Sequence, residues 1–145
     1  PTSPEPGEAV IYILMRDGSM PGEEVIRGLE DFYQDESIRP MTDLVSVSAP
    51  DKRPFDVELT YYIARSNQAS ATAIQARVDA AIQDFISWQT TEIGRDINPT
   101  ELIRRVRDAG AKRVELTFPA FTAVQETEVA RLGSQKVTYG GLEDD

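Results

Sequence analysis

The chain has 145 residues, 40% hydrophobic and 28% charged, with a net charge of −10 and neither Cys nor His. That length buries roughly 68–70% of the surface an unfolded chain exposes, so a core needs no disulfide or metal, while the acidic surface disfavours both nucleic acid and anionic membranes. The missing residue types exclude disulfides, thiolate nucleophiles, Cys-type zinc sites and the commonest general base and transition-metal ligand.

Pro1 to Gly7 is Pro-rich and acidic and is expected to be a linker (residues 1–7). Pro1-Thr2-Ser3 has no initiator Met and reads as the start of an excised piece. A domain over 8–142 and an acidic tail over 143–145 are expected to follow. Ala9 to Met15 is a short, nearly continuous apolar run, which predicts a central strand, ended by Asp17-Gly18. No apolar run reaches the ~20 residues needed to cross a bilayer.

Pro21 in a first turn, with Glu23 and Glu24 behind it, predicts a helix start. Val25, Ile26, Leu29, Phe32 and Tyr33 then mark one helical face. Arg39 to Asp43 reads as a connection, Leu44 to Ser48 as a strand, and Ala49 to Pro54 as turn material. From Phe55 to Ile63 apolar residues alternate with Asp56, Glu58, Thr60 and Tyr62, which predicts a strand with one buried face.

The longest helix starts near Ser70 or Thr72, with Ile74, Val78, Ala81, Phe85 and Trp88 forming its apolar stripe. Asn98-Pro99-Thr100-Glu101 combines an N-cap, Pro at the first helical position and an acid in the first turn. A third helix follows, lined by Leu102, Ile103, Val106 and Ala109 and ended by Gly110. Val114, Leu116 and Phe118 alternate as a strand. Val129 to Leu132 and Lys136 to Tyr139 read as a hairpin across Gly133-Ser134. The expected fold class is α+β: an antiparallel or mixed sheet with helices on one face, an elaborated split βαβ (ferredoxin-like) arrangement.

Candidates for chemistry are few. Asp56 and Glu58 share one strand face at about 7 Å, a glycosidase-like separation. Alternation makes them the ordinary wet face of a strand. Glu143, Asp144 and Asp145 lack EF-hand spacing and read as a solvated end. Gly18 to Gly22 lacks the Lys-Ser/Thr ending of a phosphate loop. No catalytic, cofactor-binding or metal residue is assigned. Arg104, Arg105 and Arg107, with Lys112 and Arg113 nearby, form the one basic cluster. Arg104 and Arg107 point away from Leu102 and Val106, and are the candidate interface residues for an acidic neighbour.

Gly94-Arg95-Asp96-Ile97-Asn98-Pro99-Thr100-Glu101-Leu102-Ile103 resembles the C-terminal region of the baseplate J family. So do Ala111 to Ala120, Gly7 to Leu14, Val57 to Tyr62 and the ending Val137 to Leu142. These are wedge proteins of contractile phage tails and related injection machines. The resemblance implies a structural, non-enzymatic subunit in the tail baseplate of the virion, assembled in the host cytoplasm. It also implies contacts with other baseplate wedge proteins and with copies of itself, and no cofactor, nucleic acid or membrane. The alternative is a small-ligand regulatory module of ferredoxin-like shape.

Overall fold

The computed structural model describes residues 8–34 and 44–145. The expected linker and the connection at Arg39 to Asp43 lie outside the described residues. The elements run β1 (Glu8–Tyr12), α1 (Glu23–Gln34), β2 (Leu44–Ser48), β3 (Asp51–Ala64), a 3-10 turn (Arg65–Ser70), α2 (Ala71–Thr90), α3 (Pro99–Asp108), β4 (Arg113–Phe118) and β5 (Glu128–Glu143).

The class is α+β with a mixed sheet. The described strands divide over two sheets. β1 and β2 pair in parallel, Ala9 opposite Val45 and Ile11 opposite Val47, with α1 as their crossover. Among the described residues no strand lies between them, so this β-α-β unit is simpler there than a split one. The second sheet has the order β4-β3-β5. β3 is its centre, antiparallel to β4 and parallel to β5.

The core lies between the second sheet and α2 and α3. Every alternate residue of β3 from Phe55 to Ile63 is buried, as are Ile74, Val78, Ile82 and Phe85 of α2 and Leu102 and Val106 of α3. Phe85 meets Phe55 edge to face, ring centroids 6.4 Å apart, and Trp88 at 6.0 Å. Tyr61 lies 5.5 Å from Tyr139 on the same face, and burial pushes its phenol up to about 12. Gly110 ends α3 at φ +123, and Ile74 side-chain carbons would stand 3.0–3.3 Å from any Cβ there. Only glycine accepts both the left-handed turn and that close approach.

Three expectations change. The run from Ala9, expected as a central strand, supplies β1, one of two strands in its sheet among the described residues. Residues 51–54 belong to β3, leaving Ala49-Pro50 as the link from β2. The expected hairpin across Gly133-Ser134 is instead continuous strand, because both halves pair in parallel with β3: Phe55 opposite Leu132, then Val57 opposite Gln135. Gly133 and Ser134 are taken up as a bulge opposite Asp56. The Asp56 carboxylate accepts a hydrogen bond from the Ser134 backbone N–H at 2.9 Å. On α1 the stripe is only partly covered: Ile26 and Leu29 are half-buried and Val25 is 37% exposed.

The β-α-β unit meets the rest of the molecule at a small joint. Gly18 is buried against Thr90 and Thr91 at the end of α2. The Arg131 guanidinium donates to the Thr90 carbonyl at 3.2 Å and to the Gly18 carbonyl.

Candidate functional site

α3 is fixed before its arginines are presented. The Asn98 side chain accepts from Thr100 N at 3.1 Å, and Pro99 occupies the first turn. Upstream, the buried Gln89 holds the approach to the helix. Its Nε2 donates to the carbonyls of Arg95 (3.2 Å) and Asp96 (2.9 Å), and its Oε1 accepts from Asn98 N (3.1 Å). Leu102 and Val106 are completely buried, which turns Arg104 and Arg107 outward.

Glu101 organises two of the arginines. Its carboxylate accepts from Arg104 at 2.6 and 3.2 Å and from Arg105 Nε at 2.6 Å. Asp108 takes a third contact from Arg104 at 2.9 Å. The hydrogen bond from Arg104 holds the Glu101 carboxyl below its usual range, although partial burial acts against it. Arg105 lies 5.5 Å from the Trp88 ring centre, and Arg95 covers the same ring at 4.3 Å. Arg107 is exposed and makes no ion pair among the described residues.

The basic cluster expected from the sequence therefore divides. Arg104, Arg105 and Arg107 stay together on α3. Lys112 and Arg113 belong to another arrangement across the outer sheet face, where Glu143 accepts from Lys112 at 3.0 Å and from Arg113 at 2.7 Å. Those hydrogen bonds, Arg113 first, pull the Glu143 carboxyl down to about 2. Arg65 pairs with Asp144 at 2.8 Å, and Asp145 accepts from Ser66 N at 3.3 Å. Glu143 and Asp144 are thus paired with cations of the fold, while Asp144 and Asp145 stay exposed to solvent.

Asp56 and Glu58 both lie on the outer side of β3, Glu58 opposite Phe118 and Lys136. Among the described residues no group of three or more acidic side chains is placed to hold a metal. No described helix is long and apolar enough to cross a membrane.

A feature the sequence reading missed lies beside Arg104. A groove of about 370 Å³ between α2 and α3 is lined by Ala80, Ala81 and Ala109, by Arg77, Arg104 and Arg105, and by Asp84 and Asp108. Arg77 is anchored by donating to the Ala109 carbonyl at 3.2 Å. A second groove of about 380 Å³ on the other side of Arg104 is lined by Thr100, Ile103 and Arg107. The signal was present: residues 77, 80, 81 and 84 are three and four apart, hence neighbours on one outer helix face.

The arrangement is thus a packed pair of helices that carries arginines and acidic side chains along a groove. A comparison with curated proteins finds no match. The family model for the Baseplate J-like protein C-terminal domain matches residues 57–139, which span β3 from its first core valine through α2, α3 and β4 and into β5. The family points to a structural role in a phage-tail baseplate. By that match over more than half of its length, the chain belongs to the family of Baseplate J-like protein C-terminal domains.

Proposed function

We propose that this domain is a non-catalytic building block of the baseplate wedge, working through protein–protein contacts with other wedge proteins and with copies of itself. The outer face of α3, carrying Arg104 and Arg107, is its contact surface. The reading spans residues 8–142 as the working domain, with the acidic end at 143–145 secured to it.

The observation that carries this reading is the state of the two arginines. Arg104 is held in place by Glu101 and Asp108, so little side-chain freedom remains to be lost on contact. Arg107 is exposed beside it, with no ion pair among the described residues. On a chain of net charge −10, such a face attracts acidic surfaces that the remainder of the molecule repels.

The test replaces both residues by Glu, verifies an unchanged melt, and measures incorporation into particles at low and high salt. Reduced incorporation supports the reading. Normal incorporation at both salts returns the cluster to an ordinary solvated helix face.

A further inference from the structure

A crevice of about 450 Å³ lies where the β-α-β unit meets the second sheet. It is lined by Ser19 and Met20 from the loop after β1 and by Lys52, Pro54, Arg131 and Leu132 from β3 and β5. Pro54 stands opposite Arg131 in the β3–β5 ladder, with Lys52 two residues before it. The two cations therefore share one sheet face, their Cα atoms about 8 Å apart by strand spacing and rise. Arg131 is half-buried, and its bonds to the Gly18 and Thr90 carbonyls place the guanidinium beside the loop. Of the five N–H donors of a guanidinium, those bonds use two and leave three. Neither Arg131 nor Lys52 makes an ion pair among the described residues. No described carboxylate lines the crevice. Asp17 acts on Arg131 from the same loop, but its carboxylate accepts from Ser19 N at 3.0 Å and Ser19 Oγ at 2.7 Å. Burial opposes the Arg131 charge, a cost that a counter-ion offsets.

We propose that this crevice binds a small carboxylic acid carried on an apolar body, its carboxylate between Lys52 and Arg131 and its chain against Met20, Pro54 and Leu132. The volume falls within the roughly 300–1,000 Å³ of small-molecule sites, which favour junctions between structural units. A guanidinium fork beside an ammonium is suited to an oxyanion. Phosphate would meet the same donors, but its second charge is opposed by Asp17 and by the net charge of −10. A single carboxylate feels that repulsion less. Ser19 and Met20 come from one unit and Lys52 from the other, so a bound acid ties the β-α-β unit to the second sheet at their joint. None of these residues belongs to α3, and the site does not depend on the contact role of Arg104 and Arg107.

Backbone amide spectra of the folded chain, titrated with hexanoate at constant ionic strength against chloride, test this. Saturable shifts are expected at Gly18, Ser19, Met20 and Leu132. Acetate, which lacks the apolar chain, and inorganic phosphate each bind at least about tenfold more weakly. Lys52 is exposed, so Lys52→Glu is expected to leave the melt unchanged and to weaken hexanoate by at least about tenfold. Lys52→Met removes the charge alone and weakens binding in the same direction, which keeps the test open if the reversal disturbs β3. Arg104→Glu with Arg107→Glu leaves hexanoate binding as it was. A wild type without saturable shifts at these residues, or acetate or phosphate binding as tightly as hexanoate, overturns the proposal. So does hexanoate binding that survives both Lys52 variants, or that is lost in the folded Arg104/Arg107 variant.

Discussion

Tyr62 lies across Gly140: a Cβ at that glycine would overlap the Tyr62 ring. The ring is fixed from both directions, with Arg113 4.2 Å from its centre and its hydroxyl donating to Glu115 at 2.7 Å. Gly140→Ala must push the ring away and is expected to cost about 1–3 kcal/mol, as overpacking does. In a Tyr62→Ala background the same change is expected to be neutral or stabilising by up to about 1 kcal/mol, because alanine has less chain entropy to lose than glycine. A double-mutant cycle from denaturant melts measures the difference. Equal costs in the two backgrounds would remove the ring as the cause.

Phe85 is the largest completely buried side chain among the described residues, between Phe55 and Trp88. Phe85→Ala is expected to cost roughly 3–5 kcal/mol in a denaturant melt. A loss under about 1 kcal/mol would place the ring outside the core.

Gln89 is the one completely buried polar side chain among the described residues. Gln89→Leu keeps much of the volume but strands two carbonyls and the Asn98 N–H. The expected loss is about 1–3 kcal/mol, with amide exchange rising first at residues 95–98. Unchanged exchange there would mean that another group positions this segment.

Glu143 supplies a pH dependence with a definite sign. Its carboxyl sits at about 2, against an ordinary 4.5. The folded state therefore binds this proton less readily than the unfolded chain does. Its contribution is complete above about 4.5 and is lost as pH falls towards 2. Stability measured over that range should fall more gently in Glu143→Gln than in the wild type. Parallel curves would show that Arg113 and Lys112 gain nothing from this carboxylate.

Where local pattern decides structure, the sequence was readable. Ile74, Val78, Ile82 and Phe85 are spaced by four, four and three, and all are buried. Asn98-Pro99 begins α3 as its capping chemistry requires. The family resemblance at Arg95 to Ile103 and Ala111 to Ala120 falls within the matched region. Long-range pairing was not readable. Gly133-Ser134 has turn chemistry, but its strand partner is β3, more than seventy residues earlier, and nothing local announces a parallel pairing that absorbs two residues opposite Asp56. The basic cluster was misjudged for the same reason. Lys112 and Arg113 follow α3 closely in sequence, yet their partner Glu143 is thirty residues later and across the sheet. The groove beside Arg104 needs two helices to be juxtaposed, and the spacing of residues 77, 80, 81 and 84 marks only its α2 wall.

The parallel pairing of β3 with β5 also determines how the domain bears tension. Asp51 lies opposite Glu128 at one end of the ladder and Ala64 opposite Glu143 at the other. A pull outward at Glu143, against chain entering at Asp51, is directed along the strands and stresses the cross-strand hydrogen bonds together, in shear, instead of peeling them one at a time. Lys112 and Arg113 grip the far end at Glu143, where peeling would begin. Strand direction is here a mechanical property of the domain.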